Sequence, residues 1–430
     1  LNNVPVAGID VGKFFSEMAI LSPSNEMCKR MKITHCMDDF NKALDLLKKA
    51  ENEFNEKPVI VMESTGHYFK LLSKFLNNNG YEVVVANPIQ TNSIKNISIR
   101  KVKNDKVDAK KIALLYRLGE LNSSNLPDDD ITALRCLCRQ YYDLVRERTA
   151  YKNRLIGIVD QIMLNYKDVF SDLCCETSLE LLENYPTPDH IIKADKSDLI
   201  NIMAKVSGMG EKWATKKYDL LILKAREFQP LSISSFANTV MLKNYISIIR
   251  TMNKSIDEIL KSINNYIVTE SFTVVSEDIR LLSTIPGIGT LTAATIVGEI
   301  GDIRRFNSPK KLTAFFGLDA SVCQSGEFIG TKNHISKRGS RLLRQVLYTS
   351  VLTSIGKKSN REACNPVLYK YYHDKCINKR KMVALVAVMH KLVFFIYAVL
   401  RDKKPFELRT PEEHIKMLAE RTISNNKEIA

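Results

Sequence analysis

Apolar positions along this chain keep two rhythms, and the change from one to the other divides it. Through roughly the first 120 residues, short apolar runs alternate with helical spacing. The stretches "VPVAGIDVG" (4–12), "EMAILS" (17–22) and "MCKRMKIT" (27–34) predict three strands, the last two joined by the turn "PSN". "MDDFNKALDLLKKAENEF" (37–54) has helical spacing and opens with acids, which suit the positive end of a helix dipole. "KPVIVMES" (57–64) is a compact apolar strand, "HYFKLLSKFLNNNG" (67–80) a helix stopped by Gly80, and "YEVVVANP" (81–88) a further strand. The order β-β-β-α-β-α-β predicts a mixed sheet with helices laid on it, the α/β class.

Beyond residue 130 the period changes. Leu137, Tyr141, Leu144, Arg148, Tyr151, Leu155, Ile158 and Ile162 alternate steps of four and three, and Tyr245, Ile249, Met252, Ile256, Ile259, Ile263 and Tyr266 repeat the pattern. That is heptad spacing, with Arg148 its one polar interruption. It predicts a coiled-coil hairpin or dimerising arm around a helical insertion, against helices that pack only inside their own subunit. "LLSTIPGIGTLTAATIVGEIGDI" (281–303) then sets a tight turn between two apolar helical stretches, as in a helix-hairpin-helix. Gly287 and Gly289 would let backbone N–H groups and the second helix's N-terminus meet phosphate oxygens. The expected parts are an α/β domain over 1–125, a helical arm over 126–278 and a mainly helical domain over 279–420.

Composition narrows the partners. The 430 residues include 63 Lys and Arg against 48 Asp and Glu, a formal charge of +15. Such a field attracts polyanions, nucleic acid first among them. An anionic membrane surface is the rival, but no basic amphipathic stretch with an aromatic face supports it. The most apolar run, "MVALVAVMHKLVFFIYAVL" (382–400), carries His390 and Lys391 at its middle and follows Lys379, Arg380 and Lys381. A buried helix is the expectation there, since a charge at a bilayer centre is costly. The nine cysteines show no Cys-x-x-Cys pair, as expected of reduced thiols in a cytoplasmic protein. No signal peptide is evident; the chain starts at Leu1 without a methionine, and a residue or tag is expected to be missing there.

Four acids attract attention by where they fall. Asp10 ends the first strand, Glu63 ends a later one, and Asp105 and Asp108 lie in "KNDKVDAKKIALLYRLG", whose spacing is helical. Residues i and i+3 share a helix face, so the last two can project together toward the strand ends. Four apposed carboxylates need cations, and Mg²⁺ takes such hard oxygen ligands while keeping water and phosphate partners. A pair of such ions about 4 Å apart can stabilise both the attacking and the leaving oxygen of a phosphoryl transfer. Singly, a strand-end Asp reads equally as a turn former and a helical Asp as solvated surface. Lys101, Lys103, Lys106, Lys110 and Lys111 surround the last pair and would attract a phosphate backbone, or form a solvated face.

Near the other end, "CQSGEFIGTKNHISKRGS" (323–340) sets Ser325 beside a glycine, ahead of Lys332, Lys337, Arg338, Arg341 and Arg344. A serine hydroxyl is a poor nucleophile unless developing charge is stabilised, which these cations could do for a pentavalent phosphate. His334 is a remote candidate for a base, and a loop serine or helix cap is the plain alternative.

Two motif blocks in this order, "GIDVGK…VMESTGHY…NP…KNDKVDAKKIA" and "PGIGTLTAATIVGEIGDIRRFNSPKKLTAFFGLDASVCQSG…ISKRGSRLLRQVL", resemble the DEDD transposases of bridge-RNA-guided insertion sequences. The resemblance covers both ends and leaves the arm without motifs. It implies an N-terminal RuvC-like domain of RNase H fold whose acids, Asp10, Glu63, Asp105 and Asp108, bind Mg²⁺. It implies a C-terminal transposase domain with Ser325 as nucleophile and Ser321 as the fallback. Relatives often show Ser-Ser-Gly where this chain has Gln324-Ser325-Gly326, and Asn378 replaces a glycine expected before a lysine in the late block "NPVLYKYYHDKCINKRKMVALVAVMHKL". It further implies donor and target DNA, a structured noncoding guide RNA, and homodimers assembling to tetramers in which acids of one subunit face the serine of another. The expected activity is an RNA-guided, Mg²⁺-dependent DNA recombinase working through a phosphoserine intermediate. The alternative is a RuvC-like Holliday-junction nuclease using metal-activated water, and a third reading is a non-catalytic nucleic-acid-binding factor. "GIDVGKFFSEMAIL" also suits the first phosphate loop of sugar kinases and actin-like ATPases, but no second glycine-rich loop or adenosine motif follows.

Overall fold

A computed structural model describes residues 4–64, 66–86, 105–119, 129–268, 273–320, 324–325, 328–329, 334–357 and 362–417. The chain divides into two compact units, Leu1–Leu126 and Pro127–Ala430.

In the first unit, strands β1 (Val6–Val11), β2 (Phe15–Leu21), β3 (Met27–Thr34), β4 (Val59–Glu63) and β5 (Val83–Ala86) form one sheet in the order β3-β2-β1-β4-β5. β1 pairs antiparallel with β2 and parallel with β4, so the sheet is mixed. Because successive side chains point to opposite faces, each strand feeds two cores. Ile9, Met18, Ile20, Ile60, Met62 and Val85 pack under helices α1 (Met37–Phe54) and α2 (Phe69–Asn78). Val6, Leu21, Val59, Val61, Val84 and Ala86 pack under α3 (Asp105–Arg117) with its Ile112, Ala113 and Leu115. The approach of α3 is set by Gly8, where a Cβ would lie 2.1 Å from the Ala109 carbonyl oxygen. The far end of the helix is fastened by Arg117, which donates to the carbonyls of Pro23, Val4 and Ser22 at 2.7, 2.6 and 2.7 Å.

Among its described residues, the second unit is helical apart from one short hairpin and one isolated bridge. A long helix α4 (Asp129–Ile162) leads into α5 (Glu176–Asn184), α6 (Pro188–Lys193), α7 (Lys196–Ser207) and α8 (Glu211–Phe228), and the chain returns along α9 (Phe236–Val268). α4 and α9 pair antiparallel within one chain: Tyr266 Oη donates to the Asp130 carbonyl at 3.1 Å at one end, and the Tyr151 and Tyr245 rings meet at 5.9 Å further along. Arg148, the polar interruption of the heptads, donates through Nη1 to Asn253 Oδ1 at 2.8 Å. The heptad pattern therefore makes an intrachain hairpin, with Leu155, Ile158, Ile162, Leu242, Ile246 and Ile249 buried in a distal core with the insertion helices. Arg250 joins that core's rim by ion pairs to Glu176 and Glu180, each at 2.6 Å, and to Glu183.

At the opposite end of the hairpin, Leu134, Cys138 and Ile263 enter a second core. It is built with α10 (Thr273–Leu282), α11 (Thr290–Ile300), α12 (Pro309–Phe315), α13 (Arg341–Ile355), α14 (Pro366–Asn378) and α15 (Lys381–Asp402). Among the described residues, α15 is the one helix long and apolar enough to cross a membrane by length and composition. Its Leu385, Val388, Leu392, Val393 and Ile396 are buried in this core, so its apolar character is used inside the unit.

Candidate active site

Strand alternation decides where the carboxylates of the first unit go. Asp10 follows Val6 and Gly8 on the α3 side of β1, and Glu63 follows Val59 and Val61 on the same side of β4. The neighbouring pair Ile9 and Met62 is in register, so Asp10 and Glu63 stand at the ends of adjacent parallel strands. Asp108 lies on α3 one residue before Ala109, the residue whose carbonyl touches Gly8. Glu63 and Asp108 are 7% and 5% exposed, and Asp10 is half-buried. Asp105 is the first residue of α3, and its side chain lies outside the described part.

A fifth acid stands in the same place. Glu17 on β2 is directly opposite Asp10 in the antiparallel register, and it too is 7% exposed. Among the described residues, Glu17 has no hydrogen-bond or ion-pair partner, and Lys111 Nζ lies 3.5 Å from Asp108 Oδ1. Carboxylates gathered on one face of the sheet suit a hard divalent cation in charge and donor type. No group of three or more His, Cys, Asp or Glu among the described residues is drawn together tightly enough to hold an ion as it stands. Glu17 escapes sequence reading because it heads an apolar run and looks like a strand-end surface residue. The signal that would find it is its cross-strand position, set by the turn in which Gly12 N–H donates to the Phe15 carbonyl at 3.1 Å.

The second candidate centre, in the other unit, is the loop carrying Ser325. Ser325 ends β6 (Gln324–Ser325) and its backbone pairs with Phe328, the first residue of β7 (Phe328–Ile329). The base of the loop is fastened by several independent contacts. Ala320 and Ile335 form an antiparallel bridge, and Ser336 donates its N–H to the Asp319 carbonyl at 2.8 Å and its hydroxyl to Asp319 Oδ1 at 2.5 Å. His390 on α15 holds the Leu318 carbonyl at 2.9 Å through Nε2. Gly317, at φ +67°, lies against Gly339: a Cβ on Gly339 would sit 2.4 Å from the Gly317 nitrogen. The serine is thus carried on a short hairpin whose root is rigid, the arrangement a positioned nucleophile needs.

The cations expected around Ser325 divide. Lys337, Arg338 and Arg341 are exposed, with Lys337 in the left-handed region at φ 54°. Arg344 is half-buried and spans the loop root, donating from Nη1 to the carbonyls of Phe316 and Gly339 at 3.1 and 2.9 Å. Burial and the neighbouring Arg341 push its pKa below the ordinary guanidinium value. Ser321 and Lys332 lie outside the described residues, as do the side chain of Ser325 and the tip 326–327. His334 is described and exposed.

The two glycines of the turn between α10 and α11 do different work. Gly287, at φ +99°, packs on α13, where a Cβ would meet Ser354 Oγ at 2.0 Å. Gly289 caps α11 from an exposed position, with nothing within 4 Å of a Cβ there and no side-chain hydrogen bond at the cap. A further residue passed over in the sequence reading is Glu299, near the C-terminal end of α11 and 4% exposed. It receives Arg139 of α4 at 2.5 and 3.0 Å and the hydroxyl of Ser340, the N-cap of α13, at 3.2 Å. Its sequence signal is a lone charge in an apolar helix, which demands a partner.

Comparison with known proteins defines the class: transposases of insertion sequences. Two protein-family models match, a transposase model of the DEDD type over residues 7–164 and the transposase IS116/IS110/IS902 family over residues 279–373. Together they span more than half of the chain, which belongs to the IS110/IS116 family of transposases. An insertion element IS116 protein of Streptomyces clavuligerus is 22% identical over 94% of this chain and 96% of its own length. The pilin gene-inverting protein of Moraxella bovis is 34% identical over 31% of the chain, and the chain spans 39% of that relative. The transposase for insertion sequence element IS1111A of Coxiella burnetii is 30% identical over 30% of the chain and 35% of its own length.

Proposed function

We propose that this chain is a metal-dependent DNA recombinase that moves its own insertion sequence, with Ser325 as the nucleophile and a structured guide RNA selecting donor and target DNA. The observation that carries the reading is the shared sheet face of Asp10 and Glu63 under the helix that bears Asp105 and Asp108, in a chain of this transposase family. Those four residues would hold the divalent cation, read as Mg²⁺, which when bound supplies positive charge to the phosphate under attack. Glu63 and Asp108 are buried on that face, and the acids would draw closer together as the site fills.

In the reading, the Ser325 hydroxyl oxygen forms a bond to a DNA phosphorus and one P–O ester bond to the leaving deoxyribose oxygen breaks. The serine proton ends on that freed hydroxyl. One ester replaces another, so a hydroxyl of the exchanged strand can reverse the step and rejoin DNA without net hydrolysis. The exposed Lys337, Arg338 and Arg341 would hold flanking phosphates, and the open N-terminus of α11 behind Gly289 would take another. Acids and serine come from different subunits of a dimer that pairs into a tetramer, and the protein works in the bacterial cytoplasm.

The test is covalent trapping. Protein, Mg²⁺, candidate guide RNA and labelled donor and target DNA are incubated and then denatured in detergent. Label travelling with the wild-type chain and lost in Ser325→Ala supports the reading. Cleavage without an adduct, unaffected by Ser325→Ala yet abolished by Asp10→Ala, would instead identify a RuvC-like nuclease that uses water.

A further inference from the structure

The face shared by α14 and α15 contains a charge arrangement that the chain does not neutralise. Lys375 Nζ lies 5.2 Å from the centre of the Tyr371 ring, and Lys391 Nζ lies 5.6 Å from the same ring. Each contact is attractive, since the ring face is electron-rich. Their joint effect is to hold two ammonium groups of like charge beside one half-buried tyrosine. Among the described residues neither lysine pairs with a carboxylate. Lys379, Arg380 and Lys381 follow at the exposed turn between the two helices. From 357 to 391 there are nine Lys and Arg against two Asp and Glu. Two cations fixed together without an acid lower their energy when an anion with closely spaced charges lies across them.

Position says which anion. His390, the residue before Lys391, holds the Leu318 carbonyl at 2.9 Å, and Leu318 stands at the root of the Ser325 loop. Lys391 therefore stands on the helix that also fixes the root of the Ser325 loop, and Lys375 of α14 meets the same Tyr371 ring. A polymer whose scissile phosphate reaches Ser325 has neighbouring phosphates to place nearby.

We propose that Tyr371, Lys375 and Lys391 form a phosphate-holding subsite for the DNA duplex flanking the scissile bond, with Lys379, Arg380 and Lys381 extending it. This rests on the reading of the chain as a DNA recombinase, and it names where the same unit grips its substrate. Tyr371 gives both ammonium groups a shared attractive ring face.

The experiment is the salt dependence of binding to duplex DNA by the full chain, which requires no catalysis. Each phosphate contact contributes a slope of about 0.9 in log affinity against log salt. Lys375→Gln with Lys391→Gln should lower the slope by about 1.8, whereas Lys48→Gln, on the exposed face of α1, should leave it unchanged. Tyr371→Leu, with both lysines intact, should weaken binding three- to tenfold; should it fail to fold, the lysine pair alone decides. An unchanged slope in the double variant overturns the subsite. A fall seen with a stem–loop RNA but not with duplex DNA also overturns it, assigning the face to RNA. Failure of the recombinase reading has a different signature: the slope falls as expected while wild-type protein forms no Ser325 adduct.

Discussion

Arg139 and Glu299 meet through two hydrogen bonds, at 2.5 and 3.0 Å, where the root of the long arm crosses the second helix of the glycine turn. The carboxylate is buried while the guanidinium side chain is about half exposed, and the hydrogen bond to Glu299 raises the arginine pKa. Removing the arginine leaves a buried acid compensated only by the Ser340 hydroxyl and the nearby charge of Arg135. Arg139→Ala should cost about 2 kcal/mol in urea unfolding, below the range for a fully buried pair because solvent reaches the arginine. Arg139→Ala with Glu299→Gln should cost less than the two single changes added together. Strict additivity would show that the two groups are not coupled.

Glu17 faces Asp10 across β1 and β2. Like charges directly opposite on antiparallel strands are destabilising, so Glu17→Gln should stabilise metal-free protein by about 0.5 kcal/mol. The same change should reduce the rise in melting temperature on adding Mn²⁺. Thermal unfolding in EDTA and then in Mn²⁺ measures both, and a variant no more stable than wild type in EDTA refutes the first part.

Gly339 is packed on backbone, not on side-chain ends that could swing aside. An added Cβ would fall 2.1 Å from the Phe315 carbonyl oxygen and 2.4 Å from the Gly317 nitrogen. Gly339→Ala should therefore destabilise the second unit by on the order of 3 kcal/mol. It should also open the loop root, read as faster amide exchange at Ser336 and Lys337, whose N–H groups donate to Asp319 and Gly317. Gly289→Ala, with open space around its Cβ, should cost well under 1 kcal/mol by comparison.

Cys138 is 1% exposed at the arm root, and burial pushes its thiol up to about 11. At pH 8 about a thousandth of it is thiolate, the form that reacts. Iodoacetamide at that pH should label the exposed Cys36, Cys136 and Cys364 and spare Cys138 until denaturant opens the core. Mass spectrometry of the labelled peptides checks this, and early labelling of Cys138 would mean that the arm detaches from its core in native conditions.

The element order of the first unit was legible because Val and Ile runs at "VAGIDV" and "VIVME" fix both strand identity and inward face, and α1 spans the same residues as its acid-led pattern. Asp10 and Glu63 were legible for the same reason, since alternation puts strand-end acids on a definite side. Glu17 was not, because its meaning lies in cross-strand register, which a turn sets. Arg148 was visible as an interruption, but the period cannot say that Asn253 of the same chain answers it, nor whether the seam closes within or between chains. Glu299 finds Arg139 across 160 positions, a separation at which no local pattern operates. The root of the serine loop depends on Gly317 meeting Gly339, and only the folded backbone brings those two nitrogens together.

The distal helical cluster at the end of the arm has a sign of its own. Residues 163–235 contain nine Lys and Arg against eleven Asp and Glu, whereas residues 269–430 contain 26 against 15. The second unit is thus electrically polar along its sequence. A phosphodiester polymer entering its field is attracted far more strongly by the basic C-terminal residues than by the nearly balanced tip of the arm. A uniformly basic protein would adhere anywhere along a duplex and in any orientation. Within the second unit, long-range attraction of a polyanion therefore favours the C-terminal residues over the arm's tip before any contact is made.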